Sequence, residues 1–315
     1  MTTIIRTEQF LSALDNVEFT DTESYRKMIN RLCKNELAYL RKNVELTTLR
    51  RYRTDYRNAI RDHYKGKNLF MTYTDKKKNN ETTHIALKYF TLKKSEIQQY
   101  NSYEEHRKDA YLNVSNDNRL VIIDHNELIN TATDLLSSNS DHEVVAGLLA
   151  LTGRRTVEIW KTGHFEYIDD NQVLFTGQAK TRNSPNARHF YQIFTLCDAQ
   201  LVCSALARLR ANRDLTNKTE REVNSITSNY LSKVVKRHFN RFIMRKENSG
   251  FLSDYGFIEA KDLRAMYVHI AQTVFLPNSL ITKFADEALG HVCAKGANSD
   301  NYMIFRLKND TDKIY

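Results

Sequence analysis

Residues 142–159 read HEVVAGLLALTGRRTVEI, an apolar segment followed by a glycine and two adjacent arginines. The apolar run predicts a helix that ends near Leu151, and Arg154 and Arg155 stand just beyond it. On these residues alone, two interpretations of the arginines stay open. They cap the helix or pair with Glu158, or they contribute cations to a functional site.

The segments downstream predict a small sheet followed by helices. Three runs typical of β-strands are separated by polar turns and predict a three-stranded antiparallel meander, at Phe165 to Ile168, Val173 to Thr176 and His189 to Leu196. Further helices are predicted at about residues 198–212, 223–246, 260–275 and 279–289.

The first half of the chain lacks residues that break helices. The 315 residues include two prolines and nine glycines, and Gly66 alone among the glycines precedes residue 147. We therefore expect a helical domain at residues 1–130 and a second domain at residues 131–315, with the boundary within 113–140. The predicted fold class is mainly α with a small antiparallel β-meander (α+β).

The composition indicates a folded protein with a polyanionic partner. Hydrophobic residues make up 41% of the chain, and 47 Lys and Arg against 38 Asp and Glu give a net charge of +9. Nucleic acid is the first expectation. A membrane partner is not expected, because the longest apolar run, residues 144–151, is far shorter than the ~20 residues that span a bilayer. The N-terminus shows no signal-peptide pattern, so we expect a cytoplasmic protein.

One predicted helix, residues 45–64, carries an apolar and a basic stripe side by side. Residues 41–67 hold nine basic and three acidic side chains. A solvated charged face is the ordinary explanation of such a stripe, but the excess of six charges favours a helix that contacts phosphates. The apolar stripe consists of Leu49, Tyr52, Tyr56 and Ile60, and the basic stripe of Arg50, Arg53, Arg57 and Arg61.

The four cysteines give no sign of a metal site. Cys33, Cys197, Cys203 and Cys293 form no CxxC pair, so free thiols are expected, with no metal and no cofactor.

Further candidate residues follow in a definite order along the second half. Lys180 stands at the end of the second predicted strand, where a hairpin tip could enter a DNA groove. Lys261 and Arg264 share a helical face. His291 follows Gly290, and Tyr302 comes eleven residues after His291. Each has an ordinary alternative: a solvated lysine, an ion-paired arginine, a capping histidine, a core tyrosine.

The order of these residues resembles the catalytic domain of tyrosine recombinases and type IB topoisomerases over about residues 140–307. Within that superfamily the chain is most similar to the protelomerases, or hairpin telomere resolvases. Three features carry the similarity: the Thr-Gly-Arg-Arg form of the first motif, Lys261 where integrases usually have His, and the segment from Tyr302 to Leu307.

This resemblance implies a tyrosine-recombinase-like catalytic domain behind a helical domain that embraces DNA. It implies catalytic roles for Arg155, Lys180, Lys261, Arg264 and His291, with Tyr302 as the nucleophile. Tyr267 and Tyr315 are the alternative nucleophiles. The predicted DNA contacts are Arg50, Arg51, Arg53, Arg57, Arg61, Arg154 and Arg182.

The implied reaction breaks a phosphodiester without a metal ion, so protein cations must stabilise the charge on phosphorus. A guanidinium suits this task because it stays protonated and grips two oxygens at once. The resemblance implies a 3′-phosphotyrosine, Lys180 as general acid, and a homodimer on a palindromic site that closes hairpin telomeres, in a bacterial cytosol or nucleoid. The alternatives are a tyrosine-recombinase integrase, a type IB topoisomerase and a non-catalytic DNA-binding regulator.

Overall fold

The computed structural model describes residues 3–75, 80–112, 119–179, 190–244, 257–290 and 302–308. The chain divides into two compact units, Met1–Arg107 and Lys108–Tyr315. This division lies before the range 113–140 in which the boundary was expected. The strand Leu120–Ile122 belongs to the second unit, because it pairs with strands of that unit and its side chains join that unit's core.

The first unit is built from helices around an aromatic and aliphatic core. Its described elements are α1 (Thr3–Asp15), α2 (Thr22–Asn43), α3 (Leu46–Tyr64), the antiparallel hairpin of β1 (Thr72–Asp75) and β2 (Glu81–His84), α4 (Ala86–Tyr89) and α5 (Lys94–Leu112), which continues past the division.

The apolar stripe of α3 faces this core, as its spacing predicts. Leu49, Tyr56 and Ile60 are at most 3% exposed, and Tyr52 is half-buried. The ring of Tyr56 stacks on Phe90, with 5.0 Å between the ring centroids. Side chains at three- and four-residue steps lie on one helical face, so a single local pattern fixes how α3 packs.

Two arginines of the basic stripe point into the unit. Arg57 is 7% exposed and donates to the Asp75 carboxylate at 3.1 Å and to the carbonyl of Phe90 at 3.3 Å. Arg61 donates to the same carboxylate at 2.6 Å. The expectation that Arg57 and Arg61 face DNA is therefore corrected: the β1 strand supplies a buried counter-charge that draws both guanidinium groups inward. Arg50 and Arg51 are exposed.

The second unit surrounds α7, whose residues from Val144 to Thr152 are all buried. The described helices of this unit are α6 (His125–Leu135), α7 (Asp141–Thr152), a π-helical turn (Glu158–Thr162), α8 (Ala199–Asn212), α9 (Glu220–Phe239), a 3₁₀ turn (Asn240–Phe242), α10 (Ala260–Phe275) and α11 (Ile281–Ala288). Within the described ranges, no helix combines the length and apolar character needed to cross a bilayer.

The predicted meander is confirmed. Strands β4 (His164–Asp169), β5 (Gln172–Thr176) and β6 (Phe190–Phe194) pair antiparallel in that order. The mainly α fold class with small antiparallel β-structure is confirmed with it. The second unit's inward residues from β5 and β6, among them Phe175 and Tyr191, join the core around α7.

A second sheet, in the order β7–β3–β8, was not predicted. It consists of β3 (Leu120–Ile122), β7 (Ile243–Met244) and β8 (Phe305–Leu307); β3 runs antiparallel to β7 and parallel to β8. The helix predicted at 223–246 is therefore wrong at its C-terminal end. Helix α9 ends at Phe239, because residues 243–244 pair with β3.

The buried ion pairs of Arg57 and Arg61 give a first test. In Asp75→Asn the two guanidinium groups lose their shared counter-charge, and we expect the free energy of unfolding to fall by about 3–5 kcal/mol, because breaking a buried pair leaves an uncompensated charge. The matched control is Glu23→Gln, whose ion pair with Lys27 is exposed on α2 and is worth less than about 1 kcal/mol. Urea unfolding followed by far-UV circular dichroism measures both; equal losses would contradict an internal role for the arginines.

Candidate active site

Helix α7 ends at Gly153, which adopts a left-handed conformation with φ of +64°. A Cβ atom at this position would lie 2.2 Å from Cδ1 of Tyr267. Backbone conformation and available space therefore both require glycine here. The turn at Gly153 directs the next two residues, Arg154 and Arg155, into different surroundings.

Arg154 lies inside the protein. It is 1% exposed and donates from Nε to the Thr152 carbonyl at 3.1 Å, from Nη1 to the Tyr191 hydroxyl at 2.6 Å, and from Nη2 to the Ala288 carbonyl. Burial lowers the pKa of Arg154, but the nearby Tyr191 phenol and the Glu158 carboxylate outweigh it and raise that pKa. Arg154 was predicted to contact DNA. Its position corrects this, because the guanidinium ties α7, β6 and α11 together away from solvent.

Glu158 is fully buried and holds Arg155 in place. Its carboxylate accepts hydrogen bonds from Nη1 of Arg155 at 2.7 Å, from the Arg155 backbone N–H at 2.8 Å and from the Ala179 backbone N–H at 3.0 Å. Burial raises the pKa of Glu158, but the cations of Arg264, Arg154 and Arg155 outweigh it and lower that pKa. The carboxylate is therefore ionised, and it aligns an arginine whose side chain remains 23% exposed.

Arg264, on α10, connects three segments of the chain. It is 5% exposed and donates from Nη1 to the Gly153 carbonyl at 2.5 Å, from Nη2 to the Leu289 carbonyl at 3.3 Å and from Nε to the Tyr302 hydroxyl at 3.2 Å. Nη1 also lies 3.9 Å from the carboxylate of Glu158. Arg155 and Arg264 thus both lie beside the buried Glu158 carboxylate, and Arg264 also contacts Tyr302.

The segment that carries Tyr302 is anchored by backbone pairing. Leu120 N–H donates to the Ile304 carbonyl and Lys308 N–H donates to the Ile122 carbonyl, each at 2.9 Å. Phe305 in β8 is fully buried. Tyr302 itself lies three residues before β8 and is half-buried, so its phenol reaches Arg264 while part of the side chain stays accessible.

Of the three remaining predicted catalytic residues, Lys261, Lys180 and His291, the structure describes Lys261. Lys261 lies in the first turn of α10 with its side chain 70% exposed, and its ammonium pairs with Glu259 at 2.8 Å. Lys180, His291 and the predicted DNA contact Arg182 lie outside the described residues, as does Tyr315.

Two side chains that the sequence analysis did not single out, Gln178 and His269, hold backbone segments of the site. Gln178 donates from Nε2 to the Gly290 carbonyl at 2.9 Å and to the Leu289 carbonyl at 3.3 Å, which joins the segments that lead into Lys180 and His291. His269 lies with Nε2 2.9 Å from the Tyr302 carbonyl. Both side chains act on backbone carbonyls, and α10 also buries Asp262 and Arg264, so no sequence signal set His269 or Gln178 apart.

No metal-binding cluster of three or more His, Cys, Asp or Glu side chains occurs in the part of the chain that the structure describes. The cysteines in that part, Cys33, Cys197 and Cys203, are free thiols. Cys293 lies outside it.

Comparison with known proteins identifies matches over the same region. Residues 119–305, more than half of the chain, match the telomere resolvase ResT/TelK catalytic domain. The protelomerase of Yersinia phage PY54 is 29% identical over 182 residues, which cover 52% of this chain, and that of Klebsiella oxytoca phage phiKO2 is 30% identical over 186 residues, which cover 56%. In each case the matched part is 28% of the relative's length.

Solved structures share the fold over nearly the whole chain. A variant of protelomerase TelA, covalently complexed with substrate DNA, superposes with a TM-score of 0.75 at 21% identity and covers 97% of this chain and 88% of that chain. Protelomerase TelK, complexed with substrate DNA, superposes with a TM-score of 0.56 at 20% identity and covers 98% of this chain and 64% of that chain. At this identity the likeness shows a common fold.

Gly153 and Gly66 form a matched pair for testing the turn that presents the arginines. Both have positive φ, of +64° and +72°, but an added Cβ collides with Tyr267 at Gly153 and meets nothing within 4 Å at Gly66. We expect Gly66→Ala to lower the free energy of unfolding by about 1 kcal/mol, for the left-handed backbone alone. Gly153→Ala adds the collision and costs about 3 kcal/mol in total. Urea unfolding of the two variants measures the difference, and similar losses would show that Tyr267 does not confine the turn.

Proposed function

This chain belongs to the telomere resolvase ResT/TelK family, and from that membership we propose that it breaks and rejoins DNA strands, resolving replicated telomere junctions into covalently closed hairpin ends. The observation that carries the proposal is the hydrogen bond from the buried Arg264 guanidinium to the Tyr302 hydroxyl. This bond supports Tyr302 as the nucleophile, because it joins the phenol to a cation within the region that matches the family.

In the proposed reaction, the Tyr302 phenol releases its proton to solvent, and its oxygen attacks the phosphorus of the scissile phosphodiester. A bond forms between phosphorus and the phenolic oxygen, the bond from phosphorus to the 5′-oxygen breaks, and the product is a 3′-phosphotyrosine with a 5′-hydroxyl. The bond energy is retained, so attack by a 5′-hydroxyl on the phosphotyrosine rejoins DNA without another energy source. Attack by the opposite strand of the same duplex closes a hairpin.

Arg155 and Arg264 are proposed to hold the nonbridging oxygens of the phosphate. Guanidinium groups suit this role because they stay protonated and donate two hydrogen bonds in one plane. The buried carboxylate of Glu158 supports it, since its contact with Nη1 of Arg155 fixes the guanidinium before DNA arrives. Preorganised cations of this kind stabilise a developing charge without having to move.

Three further residues complete the proposed chemistry. Lys180 is the general acid that gives the 5′-oxygen its proton, and His291 donates to a phosphate oxygen. Lys261 adds a further cation from the first turn of α10, where it exchanges its exposed pairing with Glu259 for the phosphate. The contact of Gln178 with the Gly290 carbonyl supports this arrangement, because it brings together the segments that precede Lys180 and His291.

Tyr267 is a poor alternative nucleophile. Its ring is fully buried, and its hydroxyl donates to the Phe194 carbonyl at 2.8 Å. Burial raises the pKa of Tyr267, which disfavours the phenolate that attack on phosphorus requires. Tyr302 is half-buried and adjoins a guanidinium, so it is better suited to reach a phosphate.

We propose double-stranded DNA with a palindromic telomere-junction site as the partner, bound by a homodimer in the bacterial cytosol or nucleoid. The TelA and TelK structures, each described as complexed with substrate DNA, support this partner. In the first unit, Arg50 and Arg51 are the proposed phosphate contacts, because both are exposed on α3. Arg53, half-buried beside them, and Arg182 complete the proposed set.

The proposal is tested with a plasmid that carries the inverted repeat of the replicon encoding this chain. Snap-back hairpin ends on a denaturing gel indicate a telomere resolvase. Relaxed circles indicate a topoisomerase, and joined products from two sites indicate an integrase. Either of the last two results would contradict hairpin formation.

Tyr302→Phe tests the nucleophile in the same assay. The variant lacks the attacking oxygen, so we expect no covalent protein–DNA adduct and unchanged DNA binding in a mobility-shift measurement. Tyr230→Phe is the control, because this tyrosine lies 52% exposed on α9, away from the described site contacts, and is expected to behave as the unaltered protein. Adducts formed by Tyr302→Phe at the unaltered rate would refute the assignment of Tyr302.

A further inference from the structure

Helix α10 contacts both the side-chain hydroxyl and the backbone carbonyl of Tyr302. Arg264 of α10 contacts the hydroxyl of Tyr302 at 3.2 Å, and His269 of the same helix contacts its backbone carbonyl at 2.9 Å. Five residues along an α-helix correspond to a rise of about 7.5 Å. The two contacts therefore grip the tyrosine at separate points, from side chains whose spacing is set by a rigid element.

We propose that His269 is a positioning residue for the nucleophile: its Nε2–H, donated to the Tyr302 carbonyl, fixes the backbone from which the phenol is aimed. This inference rests on the proposed function of Tyr302. His269 does not touch the phosphate or the phenol in this account, and it acts through the peptide group that follows Tyr302.

The direction of the hydrogen bond follows from the chemistry of the two groups. A carbonyl oxygen only accepts, so Nε2 carries the hydrogen. His269 is 5% exposed, and burial, together with the Arg119 cation, lowers the pKa of His269 to about 4. The imidazole of His269 is therefore neutral at physiological pH and carries its hydrogen on Nε2. Because it is uncharged, it needs no carboxylate partner inside the protein.

The hydrogen bond from His269 holds a residue, Tyr302, that the pairing between β3 and β8 does not hold. The backbone bonds from β3 begin at the Ile304 carbonyl, two residues beyond Tyr302. His269 acts on Tyr302 itself and thus limits rotation of the short connection before β8. Misplacing a reacting group by about 1 Å costs on the order of 10²-fold in rate, so a bond that fixes this backbone has a measurable effect on catalysis.

Three variants of α10 separate positioning from stability. His269→Leu removes the donor but keeps an apolar side chain of similar bulk. His269→Gln restores an amide N–H at about the reach of Nε2. Val268→Ala removes buried volume at the neighbouring fully buried position without touching the hydrogen bond. Circular dichroism checks that each full-length variant is folded.

The first measurement is the rate at which covalent adducts form on the inverted-repeat plasmid, with DNA affinity measured separately. We expect His269→Leu to lower the adduct rate about 10²-fold at unchanged affinity, His269→Gln to recover it to within a few fold of the unaltered protein, and Val268→Ala to leave it unchanged. A rate for His269→Leu within threefold of the unaltered protein would overturn the inference. So would an equal loss in Val268→Ala.

The second measurement does not depend on the reaction. Amide hydrogen exchange of residues 302–308 is expected to be faster in His269→Leu than in the unaltered protein and in Val268→Ala. If the unaltered chain forms no adduct, the proposed function fails, and exchange alone decides the positioning role. Unchanged protection of residues 302–308 in His269→Leu would then overturn it.

Discussion

The arrangement of the site depends on one buried cation, the guanidinium of Arg264. Its hydrogen bonds run to the Gly153 carbonyl, the Leu289 carbonyl and the Tyr302 hydroxyl, so one side chain joins the end of α7 to two segments more than a hundred positions later. A buried charge is costly unless it is paired and hydrogen-bonded. Here two backbone carbonyl oxygens and the carboxylate of Glu158 compensate the buried charge of Arg264.

The charges of the site are unbalanced in a way that suits a phosphate. Among the described residues, three cations, Arg154, Arg155 and Arg264, act on the carboxylate of Glu158, whose one negative charge cannot neutralise all three. Arg154 is committed to internal carbonyl and hydroxyl oxygens, whereas Arg155 remains partly exposed. In the proposed function, the phosphodiester anion binds at the exposed side of Arg155, where its negative charge offsets this excess of positive charge.

Periodicity and turn residues in the sequence predicted the helices and strands whose formation depends on neighbouring residues. The buried helix before Gly153, the meander and the apolar face of α3 follow from periodicity and turn residues, and all three are confirmed. The sheet β7–β3–β8 could not be predicted in this way, because its strands have two or three residues each and are held by pairing across more than a hundred positions. The same limit explains Arg57 and Arg61, whose partner Asp75 lies on a separate hairpin.

For the site, the order of basic residues along the chain predicts a chemistry, which stays a prediction, but it does not predict the supporting contacts. The structure brings Arg155 and Arg264 to the Glu158 carboxylate and Tyr302 to Arg264. It also buries Arg154, which its adjacency to Arg155 in the sequence could not reveal. Gln178 and His269 each act on a backbone carbonyl. Side-chain contacts to backbone groups leave no pattern in a sequence, so these two residues became visible only in the fold.

The most direct measurement of the central claim is to locate the protein residue that becomes linked to DNA. Covalent adduct is digested with trypsin and nuclease, and the modified peptide is sequenced by mass spectrometry. We expect a nucleotide remnant on the peptide of residues 296–306, which contains Tyr302 as its one tyrosine. A remnant on the peptide of residues 265–283, which contains Tyr267, or on Tyr315 would contradict the claim that Arg264 holds the nucleophile.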